Sequence, residues 1–302
     1  MTDGIDRDTT DSDTTSSAPA ARLPEALRLG QVRLQVSDLS QSVDYYTTVL
    51  GLSARGLAAG SAALHAENDP APLVELVERR GISPVRANSR LGLYHFAILL
   101  PDRAALGRFL GRLARDGTRL GASDHFVSEA LYLRDPDGLG IEVYADRPKS
   151  AWRHVNGELV MATEPLDTAD VIAAGRGEPW TGMPAGTVMG HLHLHVADID
   201  EASRFYHGAL GLDRTVWSYP GALFLSAGGY HHHLGVNTWA GRAAPASEHE
   251  ARLLEWRIVL PTEGDVTAAA DRLEAAGHAV AREHAGCLTA DPWGTPLRLT
   301  TR

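Results

Sequence analysis

The sequence predicts an α+β protein built from four strand–helix–strand–strand–strand modules, each an open, curved sheet with one helix on its face. Three observations carry this. Gly30–Leu39 and Gly190–Ile199 align as runs that alternate polar and apolar residues with period two and lead into amphipathic helices. In a second pair, His95–Pro101 matches Glu255–Pro261, and each of these runs is followed by a helix. The modules of the second pair then finish with strands around an Asp-Pro turn, Asp135-Pro136 and Asp291-Pro292.

Taken in order, residues 1–27 are rich in Asp, Thr and Ser, with almost no large apolar side chain, and are expected to be a disordered tail. The first module covers 28–82, with a helix carrying Val43, Tyr46 and Leu50 that ends at Gly51-Leu52. The second covers 90–147; Leu106, Phe109, Leu110 and Leu113 mark its helix and Gly117 closes it. A connection spans 148–187, long enough to carry the chain between sheets. The third module, 188–240, places Ala202, Phe205 and Leu210 on its helix, which ends at Gly211-Leu212. The fourth, 252–302, has Val266, Ala270 and Leu273, then Gly277. One such unit cannot close a cleft alone, so the modules are expected to pair.

Bulk properties exclude several classes. A net charge of −10 argues against a nucleic-acid surface, which needs clustered Lys and Arg. No apolar run is long enough to span a bilayer, and the N-terminus lacks the basic and apolar regions of a signal peptide. The lone Cys287 cannot form an internal disulfide, so a cytoplasmic protein is expected. Neither nucleic acid nor membrane is an expected partner; a homo-oligomer stays open.

The chemistry lies in the second and third modules. On the third module's first strand Leu192, Leu194 and Val196 form one face and His191, His193 and His195 the other. His95 occupies the same place in the second module as His191 in the third, at the strand start, and Glu142 sits in the second module's last strand. Two histidines and a carboxylate on one face of an octahedral ion leave three positions free for substrate and oxygen. The equivalent glutamate place holds Arg298 in the fourth module and Gly235 in the third. Pairing neighbours, third with fourth, would turn His191 toward Glu255 and Arg298, and an arginine beside a dication is electrostatically untenable. Crossed pairing, second with third and first with fourth, brings His95, Glu142 and His191 together. It leaves Gln31, Glu75, Glu255 and Arg298 as a lost site. Fe(II) is the expected metal, and Mn(II) would suit the same ligands.

Those module patterns, with the helix ending Phe205–Leu212, resemble the vicinal oxygen chelate superfamily of glyoxalases, antibiotic-resistance proteins and extradiol ring-cleaving dioxygenases. Within it the chain is similar to the bacterial four-module catechol 2,3-dioxygenases. Gly190–Asp198, Ser226–Asn237, Gly92–Pro101 and Ser128–Arg147 carry most of the likeness. The resemblance implies two open paired barrels and O2-dependent cleavage of a catechol beside its hydroxyls to a 2-hydroxymuconate semialdehyde. It also implies an acid–base role for His232, within Gly229-Tyr230-His231-His232, and active-site roles for Tyr132 and His125. Alternation along a strand would turn His231 and His233 away from the face that His232 occupies. His193 and His195 are expected to face the cleft without an assigned role; His65, His154, His207, His249, His278 and His284 read as surface or structural. Two alternatives remain: a glyoxalase-like isomerase or lyase, which would want the fourth ligand that Gly235 denies it, and a non-catalytic binding protein.

Overall fold

The computed structural model describes residues 22–302. Four repeats follow one another: β1 (Arg28–Val36), α1 (Leu39–Thr48), β2 (Ser53–Ala58), β3 (Ser61–His65) and β4 (Val74–Glu78); then β5 (Gly92–Leu99), α2 (Arg103–Arg115), β6 (Gly121–Asp124), β7 (Ser128–Arg134) and β8 (Gly140–Asp146). The connection folds as a short hairpin of β9 (His154–Val155) and β10 (Glu158–Leu159), then β11 (Glu164–Pro165) and α3 (Thr168–Ala174). The third repeat is β12 (Val188–His195), α4 (Ile199–Ser203), β13 (Asp213–Val216), β14 (Ala222–Ser226) and β15 (Leu234–Asn237). The fourth is β16 (Arg252–Val259), α5 (Glu263–Ala275), β17 (Ala281–Glu283), β18 (Gly286–Ala290) and β19 (Pro296–Thr300).

Local chemistry repeats with the elements. Asp38, Asp102, Asp198 and Thr262 each cap a helix by accepting the N–H three residues on. Gly51, Gly117, Gly211 and Gly277 follow the helical segments with positive φ, the conformation a glycine C-cap supplies. The third helix departs from the expected single amphipathic run. After α4 the chain widens into a π-helical turn, Arg204–Ala209, which buries Phe205, Tyr206 and Ala209 together.

Two sheets result. The eight-stranded sheet runs β17-β18-β19-β16-β1-β4-β3-β2, and so joins the first repeat to the fourth. The nine-stranded sheet runs β11-β6-β7-β8-β5-β12-β15-β14-β13, joining the second to the third. In each repeat the last strand lies parallel beside the first, while the repeats meet through antiparallel pairs, β1 with β16 and β5 with β12. Leu34, Ile98, Leu192 and Ile258, one from each first strand, belong to one apolar cluster that takes in the helices. The tail expectation is corrected at its end. Leu23 and Leu27 are buried in this cluster, and the Leu23 N–H donates to the Gly211 carbonyl at 2.9 Å, because these apolar side chains reach the core across the third repeat. The rest of that expectation lies outside the described residues. Among the described residues no helix is long and apolar enough to cross a membrane.

A pair of buried tyrosines ties the repeats together. The Tyr46 hydroxyl donates to Asp135 at 3.2 Å and the Tyr206 hydroxyl to Asp291 at 3.0 Å, linking first to second and third to fourth repeats. Asp135 also accepts the backbone N–H groups of Asp137 and Leu139. Burial dominates over these bonds and pushes its carboxyl up from 3.8 to about 7. Below about pH 4 that carboxyl is protonated in folded and unfolded chains alike and costs nothing. As pH rises from about 4 to about 7 the unfolded chain ionises first, so stability falls, by about 4 kcal/mol once the window is crossed. Asp135→Asn should lose this slope. Urea unfolding of metal-free protein at pH 5 and pH 8, wild type against variant, measures it; equal slopes would refute the linkage.

Candidate metal centre

Three adjacent strands at the middle of the nine-stranded sheet build the site. Ala97 on β5 is paired on one side with Glu142 of β8 and on the other with His191 of β12. Paired residues point to the same side of a sheet, and His95, two residues before Ala97, shares that side. The fully buried Ala97 methyl leaves room for the three larger side chains to lean over it. Glu142 Oε2 lies 3.0 Å from His95 Nε2 and 3.2 Å from His191 Nε2. The three ligand-capable atoms lie within 4.8 Å of one another, and all three residues are buried.

The protonation states suit a divalent cation. Burial lowers the pKa of both His95 and His191, leaving neutral imidazoles. Burial alone would raise Glu142, but His191 and His95 outweigh it and hold the carboxylate ionised. His95 Nε2, for all its closeness to Glu142, has no well-aligned hydrogen bond, whereas His191 Nε2 reaches Glu142 Oε2 at 3.2 Å. Buried imidazole nitrogens without partners are costly unless something else accepts their lone pairs. The donor set therefore fits a metal ion.

A cleft of about 390 Å³ opens over these residues. Tyr94, Tyr219, Phe224 and Trp239 give it aromatic walls, and Met161, Ala162 and Thr163 from the connection close one side. His232 is buried in the wall with its ring centroid 4.1 Å from that of His191. On the other flank His125 Nδ1 lies 2.6 Å from the Ala162 carbonyl, and its Nε2 lies 2.6 Å from the Tyr132 hydroxyl. Since a carbonyl only accepts, His125 donates from Nδ1 and its Nε2 accepts from Tyr132. Burial and the negative charge of Glu142 push the Tyr132 phenol well above its ordinary value, so it keeps its proton.

The other expected residues divide. His193 lines the cleft, its ring 5.1 Å from that of His95. Gly235 pairs with His193, and a Cβ there would lie 3.0 Å from the imidazole, so the glycine makes room for that ring. His195 is not in the cleft wall; its Nδ1 lies 2.6 Å from Asn237 Oδ1. The expectation for the three consecutive histidines is corrected for His231. They precede β15 in irregular chain, so strict alternation does not apply. His233 turns away to Ser226, 3.0 Å from its Oγ. His231 stays with His232: their Nδ1 atoms are 2.7 Å apart, and His231 Nε2 is 2.8 Å from Asp146 Oδ1. Sequence reasoning missed Asp146, the last residue of β8, and Met161–Thr163, which lie in the connection outside any repeated pattern.

The matching place in the eight-stranded sheet holds a different set. Glu75 accepts from Gln31 at 2.9 Å and from Arg33 at 3.0 Å. Glu255 sits between Arg257 and Arg298, each at 2.9 Å. Guanidinium groups occupy these carboxylates.

Comparison with known proteins places this arrangement. The profile of the Glyoxalase/Bleomycin resistance protein/Dioxygenase superfamily matches residues 28–143 and 188–294. The chain is 42% identical over 272 residues to a catechol-2,3-dioxygenase of Bacillus subtilis (strain 168), across 89% of this chain and 95% of that protein. Its fold is similar to a solved structure from Bacillus subtilis subsp. subtilis str. 168, with TM-score 0.62, 14% identity, and coverage of 93% and 86%. Glyoxalase I from Zea mays is also similar, with TM-score 0.54, 17% identity, and coverage of 91% and 92%.

Proposed function

This chain belongs to the Glyoxalase/Bleomycin resistance protein/Dioxygenase superfamily, and from that premise we propose that it is an extradiol dioxygenase cleaving a catechol with O2. His95, Glu142 and His191 would hold a single Fe(II); Mn(II) would fit the same donors. The observation that carries this reading is the convergence of two neutral imidazoles and one carboxylate at the base of an aromatic-walled cleft. Gly235 stands at the place where a fourth protein ligand would, so the glyoxalase-like alternative loses ground.

When bound, the iron would supply a Lewis-acid and redox centre with open positions for both catechol oxygens and O2. The chain's residues do the rest. Phe224, Tyr219 and Trp239 enclose a flat ring and exclude water from it. His232 takes a proton from the catechol hydroxyl and returns one when the ring opens, a task suited to an imidazole. Tyr132, its proton committed to His125, holds the opposite flank of the ring. The product from catechol itself is 2-hydroxymuconate semialdehyde. A cytoplasmic home belongs to the same proposal, in keeping with a lone, buried Cys287 that has no cysteine partner in the chain.

The test is anaerobic loading with Fe(II), a metal count, then catechol and air-saturated buffer. One O2 should disappear per catechol with a yellow product. A fully loaded protein that consumes no O2 with any of a panel of substituted catechols would sink the reading.

A further inference from the structure

His231 does not line the cleft, yet its hydrogen bonds tie it to His232, which does. We propose that His231 is a positioning residue: held by Asp146, it fixes the tautomer of His232 so that the His232 Nε2 carries no proton and can act as a base. The inference rests on the dioxygenase reading for its catalytic consequence, but the tautomer itself follows from donor and acceptor logic.

A carboxylate offers no proton, so the 2.8 Å contact between Asp146 Oδ1 and His231 Nε2 requires that nitrogen to donate. In the imidazole form of His231, which the proposal takes as its premise, Nδ1 is then bare. That atom lies 2.7 Å from His232 Nδ1, too close for two lone pairs to face each other. His232 must therefore carry its proton on Nδ1, which leaves its Nε2 as the acceptor. The opposite tautomer would present an N–H and could not receive a catechol proton.

The surroundings hold this geometry. The Tyr230 hydroxyl donates to the same Asp146 oxygen at 3.3 Å, and Tyr144 and Tyr230 share a hydroxyl contact of 2.7 Å. Trp152 stands edge-on to the His231 ring at 5.4 Å, and Tyr230 covers it at 4.1 Å between centroids. His231 is fully buried while the Asp146 side chain keeps 26% of its surface in solvent. The arrangement is thus a rigid bracket running from the protein surface to the wall of the cleft.

The test separates hydrogen bonding from packing. His231→Leu fills space but accepts nothing; His231→Asn places a carbonyl oxygen near the lost Nδ1 and can accept the same hydrogen. Long-range ¹H–¹⁵N correlation of histidine-labelled protein should report His232 as the Nδ1–H tautomer in wild type and His231→Asn, and as Nε2–H or a mixture in His231→Leu. With iron loaded, kcat for catechol should fall about 10- to 100-fold in His231→Leu, the usual scale for a residue that orients a functional group. It should recover most of that in His231→Asn, with KM and iron content within about twofold throughout. Asp146→Leu should behave as His231→Leu, and Asp146→Asn as wild type, which keeps the idea testable should His231→Leu not fold. An unchanged tautomer in both leucine variants overturns the proposal. So does an asparagine variant as slow as the leucine one, which would mark His231 as packing. If wild type turns over no catechol the dioxygenase reading fails, while the tautomer measurement still decides the bracket.

Discussion

Glu142→Ala protein should purify folded, bind no stoichiometric iron and consume no O2 with catechol. Glu142 is the one anionic member of the triad, buried between two neutral imidazoles. Without it the site offers two neutral donors and no charge to offset a dication taken out of water. The loss of affinity should exceed the roughly 10- to 100-fold typical of residues that only orient ligands. The fold should survive, because removing a buried carboxylate leaves no unpaired charge; the cost is an imidazole N–H without an acceptor, about 1–3 kcal/mol. Iron content by elemental analysis, far-UV circular dichroism and thermal unfolding of metal-free protein read the two effects separately. Full iron occupancy with unaltered affinity would remove Glu142 from the ligand set, and His95→Ala and His191→Ala should each repeat the result.

His232→Phe should do the reverse: keep iron, keep catechol, and lose turnover. His232 contributes no atom to the converging triad, yet its ring packs tilted against His191 at 4.1 Å and edge-on to Phe224 at 4.9 Å between centroids, a space a phenyl ring can fill. General acid–base groups contribute about 10²–10⁴-fold. The loss should appear in kcat, with KM little changed, because proton transfer matters in the steps after both substrates are bound. Burial and the neighbouring His191 and His231 hold the His232 pKa well below its ordinary value, so the imidazole waits unprotonated at neutral pH. Loss of iron in His232→Phe would instead make it a ligand, and an unchanged kcat would send the proton by another route, with His193 the next candidate.

What could be read from the sequence was whatever repeats. Period-two alternation at Gly30 and Gly190, with the matched runs at His95 and Glu255, gave the first strands, and apolar spacing closed by glycines gave the helices. The contrast between Glu142 and its counterparts Arg298 and Gly235 pointed to the second and third modules, and those modules do share one sheet. Features that break the repeat were not legible. Met161–Thr163 wall the cleft from a connection with no periodicity. The π-helical turn at Arg204–Ala209 keeps the same apolar residues as an ordinary helix. His231 was misjudged because alternation presumes a strand, and the chain there is irregular until Leu234. Leu23 and Leu27 follow a polar tail and precede the first repeat, and no periodic pattern says that they reach the core.

The order of strands also sets a timetable for the growing polypeptide. β1 meets β16 with Arg28 beside Val259, so the strand made first waits for the strand made nearly last. At ordinary rates of synthesis that interval is roughly ten to fifty seconds. Within it β5 and β12 have both left the ribosome, and the sheet that carries His95, Glu142 and His191 can close around its core. β1, meanwhile, can pair along one edge with β4 while the other stays open, a template for any passing strand. Arg28 and Arg33 stud that strand, and charges on an open edge discourage such pairing. The eight-stranded sheet is thus the late, slow half of the molecule, and the nascent chain is most vulnerable before Val259 appears.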